Sequence, residues 1–189
     1  MSSVAIVQNN KVKYCELQSG RIFYNFHPMA EKITFNFEVQ ILTNQELSEI
    51  EIELIKKAKT ASDKAYAPYS TFQVGAALLL DNDSIVLGNN QENAAYPSGL
   101  CAERVTLFHA GSNYPDQKIL MLAIAAKPIG ATHYVHASPC GSCRQVMFEY
   151  YNKQNASFQL LLVQPDDKIM KVGASDLLPL AFDKSTLKN

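Results

Sequence analysis

Cys101-Ala102-Glu103 and the later run Pro139-Cys140-Gly141-Ser142-Cys143 constrain this chain more than any other feature. Three thiols can hold one zinc ion and leave its fourth position free for water. A carboxylate two residues from the first thiol is placed to move protons on and off that water, a role that a closed structural site does not need. Cys101 precedes a helical stretch expected over residues 102–110, with Gly111 as its stop. Ser138 reads as an N-cap and Pro139 as the first helical residue, which puts Cys140 and Cys143 on one face of a first turn. Two helix starts are then expected to meet at one metal, where the positive ends of their dipoles favour thiolate over thiol.

A Cys-x-x-Cys pair alone fits half of a structural zinc site or a dithiol redox pair. The fourth cysteine, Cys15, would complete a closed four-thiolate site, but it lies far from the other three in an unpatterned leader. His27, His109, His133 and His136 need no metal to explain them. Three thiolates on one Zn²⁺ leave net negative charge, and Arg104 and Arg144, each beside Glu103 or a cysteine, are expected to offset it by donating to sulfur.

The chain has 189 residues, a hydrophobic fraction of 47% and a formal net charge of −1, the profile of an ordinary soluble domain. Such a balance argues against long nucleic acid as a partner, which would call for a basic track. No run is long enough for a membrane span, and the N-terminus lacks the pattern of a signal peptide. Few cysteines, three of them assigned to metal, point to the cytoplasm.

Residues 1–31 read as a leader, and a natural translation start at Met29 would leave residues 1–28 disordered or absent. Over residues 32–42, Ile33, Phe35, Phe37, Val39 and Ile41 alternate with polar residues, the pattern of a half-buried strand that adds to a sheet edge or covers a subunit seam. Thr43-Asn44-Gln45-Glu46 reads as a capping box opening a helix with Leu47, Ile50, Leu54, Ala58, Ala61 and Ala65 on its buried stripe. Buried strands are expected over 72–80, 119–126 and 158–163, with shorter ones over 84–88 and 168–172. A helix to about residue 152 and a helical turn over 175–178 complete the pattern. Strands alternating with helices imply an α/β fold, a mixed sheet with helices on both faces.

Tyr66-Ala67-Pro68-Tyr69-Ser70 and residues 72–78, then Asn90-Gln91-Glu92-Asn93-Ala94-Ala95-Tyr96-Pro97, Cys101-Ala102-Glu103-Arg104, residues 138–146 and Leu177-Leu178-Pro179 with Phe182 resemble, in order, the small homotetrameric three-cysteine cytidine deaminases. The resemblance runs from about residue 46 to 183. It implies a deaminase domain over 43–183, a tail over 184–189, and a three-layer α/β/α fold with a mixed five-stranded sheet. It also implies one zinc per subunit on Cys101, Cys140 and Cys143, with Glu103 as the catalytic carboxylate. The substrate would be a pyrimidine nucleoside, cytidine or deoxycytidine, deaminated to uridine or deoxyuridine in pyrimidine salvage. Asn90 and Glu92 match residues that hydrogen-bond the ribose, and Phe72 an aromatic packed on ribose and base. The backbone around Ala102 matches groups that fix the base edge. Phe182, and the loop with Ala94 and Tyr96, match groups that reach across subunits. A deaminase of another aminopyrimidine nucleoside, a structural zinc module and a dithiol redox protein are the competing readings.

Overall fold

The computed structural model describes residues 4–8, 11–18, 21–28 and 32–187. The chain divides into two units, residues 1–36 and 37–189. In the first, β1 (Val4–Gln8), β2 (Lys11–Gln18) and β3 (Arg21–Pro28) form an antiparallel sheet of order β1-β2-β3. This is a correction to the unpatterned leader. The expectation for Met29 falls outside the described residues, and so does that for the Cys15 side chain.

The second unit is built on a six-stranded sheet of order β4-β9-β8-β7-β5-β6. Its strands are β4 (Val39–Leu42), β5 (Phe72–Leu80), β6 (Ile85–Asn89), β7 (Ile119–Pro128), β8 (Gln159–Val163) and β9 (Ile169–Gly173). Only β7 and β8 run parallel, joined by the crossover helix α3 (Gly141–Gln154). The sixth strand is β4, the addition expected at a sheet edge. It covers Val39–Leu42, paired antiparallel from Val39 on Val172 to Leu42 on Ile169 of β9.

Period-two alternation sorts the side chains into two cores. Ala76, Leu78, Leu80, Leu122, Ile124, Leu160 and Leu162 face Leu107, Cys143 and Met147 of α2 (Ala102–Asn113) and α3. Ala77, Leu79, Ala123, Leu161 and Val163 face Leu54, Ile55 and Ala58 of α1 (Glu49–Ser62) on the other side. The result is a three-layer α/β/α arrangement, and it fixes α2 and α3 side by side on one face.

Three expected boundaries move. The box at Thr43 and Glu46 opens only a 3₁₀ turn, and α1 starts at a second box made by Ser48 and Glu51. Ile50 is consequently exposed, while Ile55 takes a place in the core. Helix α2 passes through Gly111 to Asn113, because this glycine lets the Tyr150 hydroxyl approach; a Cβ there would lie 2.2 Å from it. Helix α3 is capped by Cys140, in extended conformation, rather than by Ser138.

The carboxylate of Glu51 does two jobs: it closes the Ser48 box and accepts from Lys171 Nζ of β9 at 2.7 Å. Burial opposes its ionisation, but Lys171 and the Ser48 donors outweigh that and hold the carboxyl below its usual range. Lys171→Met is expected to cost about 2 kcal/mol in urea unfolding at pH 7, since it strands a buried carboxylate. A carboxyl with a depressed folded pKa stabilises fully above its unfolded value and loses that contribution as pH falls through the folded one. The difference between wild type and Lys171→Met therefore shrinks on acidification below the ordinary glutamate pKa.

Candidate active site

The N-termini of α2 and α3 converge on one point. Cys101 is the N-cap of α2 and Cys140 the N-cap of α3, with Cys143 in the first turn of α3. Their sulfurs lie 3.9 Å apart for Cys101 and Cys140 and 3.5 Å for Cys140 and Cys143, all within 4.8 Å of one another. Tetrahedral zinc with Zn–S bonds near 2.3 Å needs sulfurs about 3.8 Å apart, so the three thiols fit the ion. Among the described residues the group that could hold a metal is Cys101, Cys140 and Cys143.

Charge in the cluster is arranged to suit a cation. Hydrogen bonds from Cys143 and then Arg104 pull the Cys101 thiol down to about 5. The Cys143 thiol is pushed up by its bond to Cys101, by burial and by the negative charge of Glu103. Arg104 Nη2 donates to Cys101 Sγ at 3.8 Å. Arg144 departs from expectation: its Nε donates to the Pro139 carbonyl at 2.8 Å and its Nη1 to that of Leu177. It braces the chain entering α3, which is also why Cys140 stays extended and becomes the cap.

Glu103 is 5% exposed, in the first turn of α2. Burial, followed by the charge of Cys101, raises its pKa above the ordinary carboxylate value. A carboxyl so placed holds a proton more readily than one in water.

Beside Cys101 opens a cleft of about 420 Å³ lined by Tyr69, Asn90, Glu92, Tyr96, Cys101 and Arg104, among others. Asn90 is buried, and both ends of its amide are engaged by β5: Nδ2 donates to Phe72 O at 2.9 Å and Oδ1 accepts from Val74 N at 2.8 Å. Glu92 Oε2 accepts from the backbone N–H groups of Tyr69 and Ser70. The Ser70 side chain and these N–H groups outweigh a small burial effect and lower its pKa, so it is an acceptor at neutral pH. Tyr69 and Ser70, which carry no site role in the sequence pattern, hold this carboxylate through their backbone; the turn chemistry of Pro68-Tyr69-Ser70 is the signal for it.

Other expected contacts stand apart. Phe72 opens β5 half-buried, and the Ala102 side chain is fully buried in the core while its carbonyl accepts from Thr106 Oγ1. Ala94 is exposed on the loop before Tyr96, which meets Tyr69 edge-on at 6.1 Å between ring centroids. Phe182 is exposed and does not line the cleft, though its carbonyl accepts from Gln145 of α3.

Residues 48–158 match the family model for the cytidine and deoxycytidylate deaminase zinc-binding region. This chain belongs to that family. A curated cytidine deaminase of Halalkalibacterium halodurans is 43% identical, covering 68% of this chain and 91% of the relative. One of Sporosarcina psychrophila is 40% identical over 71% of this chain and 93% of the relative. Among solved structures, the cytidine deaminase of Burkholderia pseudomallei superposes with a TM-score of 0.59 at 35% identity, covering 72% of this chain and all of that one (100%). That of Mycobacterium tuberculosis gives 0.54 at 34% identity, over 72% and 98%. The family is a zinc-binding one, and the three-thiol cluster is the place in this fold that fits the ion. No helix among the described residues is long and apolar enough to cross a membrane.

Proposed function

We propose that this chain is a zinc-dependent cytidine deaminase, converting cytidine and deoxycytidine to uridine and deoxyuridine with release of ammonia. The observation that carries the reading is a three-thiol cluster next to a Glu103 that is buried in the first turn of α2. A structural module explains the thiols but not that carboxylate.

Cys101, Cys140 and Cys143 hold the ion, and Arg104 offsets the negative charge they gather. Bound there, Zn²⁺ acts as a Lewis acid that lowers the pKa of a coordinated water toward about 7. Glu103 takes a proton from the attacking water and delivers it to N3 of the pyrimidine, which makes C4 electrophilic. Once the oxygen has added to C4, Glu103 moves the remaining hydroxyl proton to the amino group. The C4–N bond breaks, ammonia leaves and the N3 proton stays on the uracil ring.

Glu92 binds the sugar: its Oε2 is held by the backbone, which leaves Oε1 to accept from a ribose hydroxyl. Asn90 keeps one N–H and one lone pair for the same purpose after clamping β5. Phe72 packs against the ribose and base, and backbone groups near Ala102 fix the base edge. The exposed rings of Tyr96 and Phe182, with Ala94 beside the former, find cover at a neighbouring subunit of a homotetramer. The enzyme works in the cytoplasm, in pyrimidine salvage.

The test is an ultraviolet assay of cytidine and deoxycytidine with the purified protein. Turnover is expected, with ammonia released in equal amount, and prolonged chelation is expected to abolish it until zinc is restored. Zinc-loaded protein that converts neither nucleoside would overturn the reading. Light scattering at working concentration is expected to give the mass of four chains.

A further inference from the structure

The segment over residues 32–38 lies outside both sheets, between β3 and β4. Its alternate residues Ile33, Phe35 and Phe37 are 73%, 48% and 56% exposed, and Val39 and Ile41 continue the apolar row along β4. β4 itself is an edge strand, paired only with β9. Natural edges are ordinarily protected by lysines, prolines or bulges; here Lys32 and Glu38 are the sole charges in the segment and there is no proline. An apolar row of this length needs an occupant.

The order of residues identifies one. Lys32-Ile33-Thr34-Phe35-Asn36-Phe37-Glu38 is complementary to its own reverse. Laid antiparallel on a second copy about Phe35, Lys32 meets Glu38, Ile33 meets Phe37, Thr34 meets Asn36 and Phe35 meets itself. Cross-strand partners share a face, so this register puts apolar against apolar, polar against polar, and two opposite charges together at each end. Sliding by one residue opposes apolar to polar positions. Sliding by two in one direction sets Lys32 against Gln40 and Glu38 against Thr34, and in the other sets Lys32 against Asn36; either way both charge pairs are lost. Among the described residues, Glu38 accepts from the nearby Gln40 amide at 2.9 Å.

We propose that residues 32–38 of two copies of this chain form a two-stranded antiparallel ribbon centred on Phe35. Each strand runs directly into β4, which is hydrogen-bonded to β9, so the ribbon is anchored at both ends rather than standing as an isolated pair. This contact lies wholly outside the deaminase match at residues 48–158 and does not depend on the chemistry proposed above.

Phe35→Cys in the full-length, zinc-loaded protein tests it, with the native cysteines left in place. Only the central position meets its own copy, so oxidised glutathione is expected to join two chains through residue 35, with two glutathione thiols as the reduced product. Asn36→Cys is expected to cross-link no more than the unmodified protein, because position 36 faces Thr34. Adding Lys32→Glu to Phe35→Cys should lower the covalent dimer several-fold, and adding Glu38→Lys as well should restore it. No dimer above the unmodified protein, equal yields at positions 35 and 36, or no recovery on double charge reversal would each overturn the ribbon. Those results would point instead to cover by the chain's own first unit or by another surface.

Discussion

Glu103→Gln is expected to lower cytidine turnover by about 10⁴-fold while zinc stays bound, the upper end of what a positioned acid–base group supplies. Glutamine keeps the shape of the side chain and its hydrogen-bonding reach, so the sulfur cluster around it is undisturbed. What it loses is the ability to take a proton at one oxygen and give it up at another atom. The proposed reaction needs that transfer twice, once to N3 and once to the departing amino group, and both crossings run through the same carboxylate. The loss amounts to roughly 5 kcal/mol of transition-state stabilisation. It should fall on kcat, with KM for cytidine little changed, because the ribose contacts proposed for Asn90 and Glu92 are left in place. Zinc content and single-turnover rates measured on the same sample check it. Near-normal turnover by a zinc-replete Glu103→Gln protein would remove the carboxylate from the mechanism.

How much of this was legible in the sequence depended on the distance over which each feature is determined. The metal cluster was readable because each half is local: a thiol two residues from a carboxylate, and two thiols one helical turn apart. Strand β5 was readable because Phe72–Leu80 is an apolar run broken only by Gln73, and its last six residues are buried. Features set by partners remote in sequence were not. The strand at residues 32–42 shows its alternation throughout, yet the part that pairs is Val39–Leu42, and its partners on β9 lie more than a hundred residues away. Glu51 looks like an ordinary capping glutamate until Lys171, 120 positions later, arrives against it. Cys140 became a cap because Arg144 and the Pro139 carbonyl fix the backbone before it, a contact that no propensity encodes. Gly111 resembled a helix stop because a stop and a close approach both ask for glycine, and only the Tyr150 hydroxyl tells them apart.

Gly75 presents the same ambiguity, and it carries the largest stability effect expected in this chain. It sits in the middle of β5, where a glycine ordinarily weakens a strand. A Cβ at this position would lie 2.1 Å from the Ala58 carbonyl oxygen and 2.2 Å from the Ser62 amide nitrogen, both backbone atoms of α1. Backbone cannot rotate aside as a side chain can, so the helix as a whole must retreat. That retreat loosens Leu54, Ile55 and Ala58 from Ala77, Leu79, Ala123 and Leu161, which together form one of the two cores. Gly75→Ala is expected to cost more than about 3 kcal/mol, the upper range for overpacking. For a chain of this size that lowers Tm by roughly 6–12 °C. Gly141→Ala is the matched control: its Cβ would meet nothing within 4 Å, and it lies in the first turn of α3. Alanine favours helix over glycine by up to about 1 kcal/mol, so this change leaves stability level or slightly higher. Thermal and urea unfolding of the two variants decide the matter. Equal stability of Gly75→Ala and Gly141→Ala would mean that α1 does not press on β5 as closely as this packing requires.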